Sequence, residues 1–516
     1  MAQPKRYRLS GLLLLLSAVF YGLGFLHLRA DFPGANVWTD WSRLADEGWY
    51  AGAAIHYFTQ GRWYLPDVLN AAVAMPVWPV LLGLWFKLTG AGMLWARALT
   101  MVLYGLSLLL LYAVMWRARP GRLAALVVLL TAIDPFCYAF NRLAILEPVT
   151  GLWFMLALWL AGSTQPRDWF KQLLLGVVIF LLVLTRATGV VLAPAVLYMM
   201  GASWGRLVDK SAGQQEAGRE RAWRRSWRRE LAALAFTAGV ALVLWEGYLR
   251  LLVGPRTRLD YTLLVGMEMH HGTAGSVMAT AWTLLQDGLW ISPVLFPLAV
   301  LMLVLSVVWL RELWDRPLFG AAVLAVAGQM AYIGYCGEVQ ARLFTPIAMP
   351  VMMVVGLGVG AVIDRRRRCE KRSRQAMRMR WILAGMLLTV VAGLGMMGVQ
   401  TLDYVLHPEY SYWEAAQGVA AIIAADGGSR PMLLSDSGDD LTLWAGVPAV
   451  PESRTTHGLD AVLARYQPGW YAAWPGRQDA AIAQVGMRYR MDPVARYRVF
   501  DEPSQQVLVL YKLTRR

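Results

Sequence analysis

Cysteine is almost missing from this chain, with three in 516 residues. Cys137 and Cys336 fall at the ends of apolar runs and Cys369 lies in a basic loop. A disulfide framework and a cysteine-based metal centre are therefore not expected. Histidine is nearly as scarce, six in all. Its one neighbouring pair, His270-His271, does not converge on one helix face, which argues against a metal site there. The chain has no Walker loop, no HExxH and no GxSxG. Gly356-Leu357-Gly358-Val359-Gly360 sits inside an apolar run with no preceding strand, so it reads as close helix packing and not as a nucleotide loop. Acidic residues are outnumbered, 34 against 49 Lys and Arg, for a formal charge of +15. The surplus gathers in loops between apolar runs, notably 206–229 and 365–380. That pattern marks cytoplasmic loops facing anionic lipid and gives no reason to expect nucleic acid.

Apolar residues are plentiful instead. They make up 57% of the chain, the mean hydropathy is +0.43, and many of the 24 Trp stand near the ends of apolar runs, as in an aromatic belt. The runs are 9–28, 93–115, 122–140, 147–163, 172–185, 187–203, 231–252, 289–310, 318–336, 343–363 and 381–400. They predict about 11 spans, with 12 as the alternative. The first follows Lys5, Arg6 and Arg8 and is followed by no small-residue cleavage site, so it reads as an uncleaved span with a cytoplasmic N-terminus. The run 76–88 is short and carries Pro76, Pro79 and Lys87. If it does not cross, every strongly basic loop falls on the cytoplasmic side; if it crosses, the two richest clusters face outside. It is therefore read as an interfacial or re-entrant helix.

This topology turns 29–92, 141–147, 186, 253–288, 337–342 and 402–516 outward. Nearly all the unexpected polar residues fall there: Asp40, Asp46, Glu47, Asn141, Arg142, Glu147, Arg186, Glu268, His270, His271, Glu338 and Arg342. In the first outer loop, 29–92, the apolar positions Leu44, Gly48, Ala51, Ile55 and Phe58 predict one helical face over Ser42 to Arg62. Asp46, Glu47, Tyr50 and Tyr57 lie mostly off it, and the flanking Trp and Tyr suit a helix lying in the headgroup region. After the membrane part, 1–401, the segment 402–516 alternates helical stretches (413–425, 459–466, 478–485) with strand-like runs (431–435, 470–474, 496–500, 506–513). The fold class that follows is a mainly α, polytopic helical membrane protein. It carries interfacial helices in its first outer loop and a small C-terminal α/β extracytoplasmic domain.

Each polar motif has a plain reading and a functional one. Asp46-Glu47 is either the polar face of a surface helix or a carboxylate that orients and deprotonates an acceptor. Arg142 could snorkel and Glu147 could start a helix beside Pro148, or both could line a site. Arg186, wedged between two apolar runs, suits a phosphate, whether of a headgroup or of a substrate. Glu338 and Arg342, four residues apart, could simply pair across a short turn.

In this order the segments resemble the glycosyltransferase C superfamily, most closely the protein O-mannosyltransferase and lipid A aminoarabinose transferase branch. Asp46-Glu47-Gly48-Trp49-Tyr50, then Gly61-Arg62-Trp63, is similar to that branch's first-loop pattern. Asn141-Arg142 with Glu147-Pro148, and Glu338 to Arg342 with Pro346 and Pro350, resemble its later charged motifs. The resemblance implies an integral membrane glycosyltransferase that takes a sugar from a polyprenyl-phosphate donor in an inverting single displacement. The acceptor would be a glycan, lipid or protein on the extracytoplasmic face of a bacterial inner membrane. Asp46 and Glu47 would be catalytic, and Tyr50, Arg142, Glu147, Arg186, Glu338 and Arg342 would bind substrate. No obligatory metal or other cofactor is implied, and a divalent ion is left open. The branch carries Lys-Pro-Pro or His-Pro-Pro after the first motif, where this chain has Met75-Pro76-Val77-Trp78-Pro79. That difference weakens the case for lipid A as acceptor and shifts phosphate binding onto arginines. The rivals are a lipid or glycolipid transporter, which would show mid-span ionisable residues or broken helices, and a non-catalytic scaffold.

Overall fold

The computed structural model describes residues 4–33, 46–211, 216–254, 257–268, 277–336, 339–368, 374–427, 431–500 and 507–516. Asp40, His270, His271, Glu338 and Cys369 lie outside these residues. Among the described residues, six helices are long and apolar enough to cross a membrane, and a bent pair makes a seventh. Four shorter apolar helices, Arg8–Leu23, Glu147–Ala161, Trp169–Thr185 and Leu295–Val308, occupy the remaining expected runs. The protein is a multi-pass membrane protein whose apolar runs are all helical. A further short helix, Val77–Thr89, fills the ambiguous run. At 13 residues it is about 20 Å long, short of the ~30 Å hydrocarbon core. It packs against the first-loop helix, with Trp78 and Leu82 fully buried.

One expected span is broken. The run 122–140 forms Arg122–Ile133 and Pro135–Asn141, bent by 64°. Pro135 has no N–H to continue the first helix, and the Asp134 carboxylate caps the second by accepting from Cys137 N at 3.3 Å. The glycine run does pack helices closely. It lies on Thr345–Arg368, which is buried along nearly its whole apolar length. A methyl at Gly358 would come within 2.6 Å of Met302, and one at Gly356 would overlap Val127.

The C-terminal segment forms one five-stranded sheet of order β2-β1-β3-β5-β4, with β1 Leu433–Leu434, β2 Ala449–Val450, β3 Trp470–Ala473, β4 Tyr489–Arg498 and β5 Val507–Arg515. β1 runs parallel to β2 and β3, and the β3-β5-β4 side is antiparallel. Helices Ser411–Ala425, Leu459–Tyr466 and Asp479–Arg488 stand close to their expected places. The helix Gly438–Ala445 and strand β2 were not foreseen. One apolar core runs from the membrane helices to this sheet and includes Tyr50, Met93, Trp444 and Trp470, and a second, with Leu434, Val450 and Tyr471, lies largely within the C-terminal segment.

The first-loop helix, Asp46–Gln60, differs from expectation. Nearly all of its first eleven residues are buried, including Asp46, Glu47, Tyr50 and His56. Its polar face does not meet headgroups because Gly438–Ala445 lies across it. Gly48 permits the contact: a methyl there would fall 2.5 Å from the Asp439 carbonyl carbon. The chain beyond the helix is tied to the same segment by a bridge between Val68 and Thr455.

Candidate active site

Asp46 begins the first-loop helix and is 1% exposed. A carboxylate at a helix start is favoured by the unpaired N–H groups there, but a buried one also needs a cation. Two supply it. Arg342, in the short turn Ala341–Phe344 that leads into Thr345–Arg368, donates Nη1 to Asp46 Oδ2. Arg454, from the C-terminal segment, donates Nη2 to Oδ1 at 3.2 Å. Both guanidiniums lie over aromatic rings of the motif, Arg454 4.5 Å from Trp49 and Arg342 5.9 Å from Tyr50. Arg454 is held in a left-handed conformation, φ 57°, which L residues rarely adopt. Its carbonyl accepts Leu69 N at 2.8 Å, and Thr456 N donates to Asp67 O at 3.0 Å, so the first loop grips the backbone on both sides of it.

Glu47 points elsewhere. Its two oxygens take Arg97 Nε at 2.8 Å and Nη2 at 2.6 Å, and Oε1 also accepts Ala144 N at 2.7 Å. Arg97 donates as well to the carbonyls of Leu28 and Ala30, at 2.9 and 2.6 Å, and stacks on Trp444. This fork-on-fork pair joins the end of the first helix, the first-loop helix, the segment before Glu147 and the C-terminal segment. Arg142 has acceptors of its own: Tyr138 Oη at 2.7 Å and the carbonyls of Leu26 and His27 at 3.0 and 2.5 Å. Glu147 and Arg186 are bonded to each other and buried. The structure thus unites Asp46, Tyr50 and Arg342, pairs Glu147 with Arg186, and leaves Glu47 and Arg142 on partners of their own.

Facing the motif from Gly438–Ala445 are two more acids. Asp440 Oδ1 accepts Gly48 N at 3.0 Å, and Asp439 meets His56 Nε2 at 2.9 Å. Burial first, then the charge of Glu47, pushes the Asp440 carboxyl well above the usual range. Asp31, raised by burial, accepts Ser411 Oγ at 2.6 Å and Tyr412 N at 3.1 Å, fastening the start of Ser411–Ala425 beneath the site. Sequence reasoning missed Arg97, Arg454, Asp439 and Asp440. A lone Arg near the start of the 93–115 run was a usable signal for Arg97. Nothing local marks Asp439-Asp440 or Arg454. Among the described residues no group of three or more His, Cys, Asp and Glu could hold a metal ion.

Neither a protein-family model nor a curated protein matches the chain. Solved structures do. ArnT from Cupriavidus metallidurans aligns over 97% of this chain and 98% of its own, at 15% identity, with a TM-score of 0.59 in the apo state and 0.60 bound to undecaprenyl phosphate. The oligosaccharyltransferase of Archaeoglobus fulgidus, in complex with zinc and sulfate, aligns over 97% of this chain and 75% of its own, at 11% identity and TM-score 0.53. The chain has the glycosyltransferase C fold. At these identities the likeness is one of architecture. It extends over 97% of the chain, beyond the roughly 1–400 over which the sequence resemblance runs.

Proposed function

We propose that this protein is an integral membrane glycosyltransferase that moves a sugar from a polyprenyl-phosphate donor to an acceptor, with Asp46 as the acceptor-activating base. The observation that carries the proposal is the Asp46 carboxylate, buried at the end of the bundle and held by one arginine from each side. A carboxylate so placed can orient an acceptor hydroxyl or amine and take its proton. The acceptor atom bonds to the anomeric carbon while the bond to the phosphate oxygen breaks, with inversion. The electron pair leaves on the phosphate, where charge builds up. Arg342 is the group to meet that charge: on donor binding it exchanges Asp46 for the phosphate, which releases Asp46 as a base. Tyr50 stacks near Arg342, and Arg186, paired with Glu147, is a second candidate cation for the phosphate. Glu47 holds Asp46 in position through Arg97. No step in this reading calls on a metal.

The neighbour solved with undecaprenyl phosphate supports a lipid-phosphate donor. The bias of basic loops supports a site on the extracytoplasmic face of a bacterial inner membrane, with the N-terminus inside. Hexose or pentose, and the class of acceptor, follow from neither. The test is transfer from a synthetic polyprenyl-phosphate sugar by purified wild type and Asp46→Asn, matched for amount and for elution as a single species. A drop of about 10²-fold or more is expected; undiminished transfer removes Asp46 from the mechanism. The break at Asp134, a buried carboxylate in an otherwise apolar run, keeps a flippase as the second reading. Movement of the donor lipid across vesicles without transfer would select it.

A further inference from the structure

The opposite end of the bundle carries a second cationic site, which the transferase reading does not use. Arg97 and Arg117 lie on one helix, Met93–Ala118, separated by twenty residues. At 1.5 Å per residue that is about 30 Å, the depth of the hydrocarbon core. The far end therefore sits at the other membrane surface. There a cavity of about 240 Å³ is lined by Arg117, Trp159 and Arg316 above an apolar wall that includes Val114 and Leu158.

The charges around it do not balance. Arg119 and Arg316 share one carboxylate, Asp364, with Arg316 Nη2 at 3.0 Å. Gly360 lets Arg119 cross to reach it, donating to the Gly360 carbonyl at 2.6 Å. Arg316 Nη1 is buried with no hydrogen-bond partner among the described residues. Arg117 lies over the Trp159 ring at 4.7 Å and donates Nη1 to the Trp159 carbonyl at 2.8 Å. Among the described residues it meets no carboxylate. Glu312, four residues before Arg316, is engaged by Arg365 and Arg368 at 3.6 and 2.9 Å. Three guanidiniums thus stand against one carboxylate, beside a cavity whose wall is apolar. A buried cationic nitrogen without an acceptor is costly unless an anion meets it.

We propose that this cavity binds the phosphate of an anionic phospholipid, with the headgroup between Arg117 and Arg316 and the start of an acyl chain against the apolar wall. The arrangement suits a lipid over a free phosphate because the polar rim and apolar floor follow the layering of a leaflet, with Trp116 and Trp159 at its interface. The site would seat the enzyme in membranes rich in acidic lipid, and it does not depend on the transferase reading.

The experiment titrates the detergent-purified full chain with phosphatidylglycerol or phosphatidylcholine and counts the one-to-one adduct by native mass spectrometry. Arg117→Gln is the main variant, because its side chain is exposed and its removal breaks no ion pair. Arg311→Gln, on an exposed residue of the same face outside the cavity, is the control. The expected result is a phosphatidylglycerol adduct, little with phosphatidylcholine, weakened roughly fivefold by Arg117→Gln and unchanged by Arg311→Gln. Equal adducts in wild type and Arg117→Gln overturn the site. Displacement of the lipid by millimolar inorganic phosphate overturns the assignment to a lipid.

Discussion

Substituting Gly48 by Ala tests how the site is assembled, because that glycine lies where the two halves of the site touch. An added methyl would overlap the backbone nitrogen of Asp440 and stand 2.5 Å from the Asp439 carbonyl carbon and 2.8 Å from Asp439 Cβ. Backbone cannot swing aside as a side-chain tip can, so the two helices must separate. Overpacking of this kind costs ~1–3 kcal/mol. Separation also lengthens the 3.0 Å bond from Gly48 N to Asp440, worth about 0.5–1.5 kcal/mol. Against this, Ala favours a helix over Gly by ~1 kcal/mol. The net expectation is a loss of about 2 kcal/mol, confined to the contact between the first-loop helix and Gly438–Ala445. Because Arg454 rides on the same C-terminal segment, it should be drawn off Asp46. The assay combines apparent Tm, limited proteolysis of the C-terminal segment and transferase activity on the same purified sample. Wild-type melting, protease resistance and activity in Gly48→Ala would refute the close approach and the composite site built on it.

Three further outcomes are expected. Arg454→Gln removes one of the two cations on Asp46 and should lower transfer about tenfold with little change in apparent Tm, since Arg342 remains; unchanged steady-state kinetics would take Arg454 out of the site. Arg97→Gln leaves Glu47 buried and short of its fork, at a cost of about 3–5 kcal/mol, and the double variant with Glu47→Gln should be less damaged than the two losses added, as thermal melting of all four proteins will show. Burial, opposed by the nearby Tyr471 hydroxyl and aided by Asp436, pushes Glu452 up to about 8 from an ordinary value of 4.5. Between those values the folded chain keeps a proton that the unfolded chain has lost, so stability is fullest below pH 4.5 and falls as pH rises through 8, by ~1.4 kcal/mol per unit at most. Glu452→Gln should flatten that decline in apparent Tm, and a wild type with no decline would refute it.

The membrane part was legible because its signal is local. An apolar run of span length has few alternatives to a helix, and Asp134-Pro135 together break one of them. Asp46 and Tyr50 were legible through their motif, and Arg342 through its place at the head of an apolar run. The burial of Asp46 and Glu47 was not legible. Helical periodicity assigns one face to a core, and here the opposite face is buried as well, by a segment almost 400 residues further on. Asp439 and Asp440 were hidden for the same reason: acids in the first turn of a helix are ordinary until the helix across from them supplies Gly48 N and His56. Glu47 read as catalytic because it neighbours Asp46, yet adjacent residues on a helix point about 100° apart, and Arg97 waits on the side to which Glu47 turns.

The exchange of a basic residue for Met75 has a structural counterpart. Met75 is buried and lines an apolar cavity of about 200 Å³ with Trp245, Tyr261 and Tyr335, beside Ala187 and Thr188, the two residues that follow Arg186. A Lys there would have to lose its hydration in that apolar lining or unwind toward the polar wall. On the proposed function the positive charge for a phosphate would come from other elements, and three arginines are candidates. Arg186 stands at the margin of the Met75 cavity, Arg342 comes from the head of the central helix, and Arg454 is delivered by the C-terminal segment. The last is the costliest to position, since it requires a left-handed residue, two backbone bonds to the first loop and a glycine at 48 to admit the helix alongside. Features that constrain one side chain from three directions are more economically explained by a need for its charge beside Asp46 than by packing alone. By the same reasoning the C-terminal segment does more than cover the Asp46 cluster: it contributes a side chain to it.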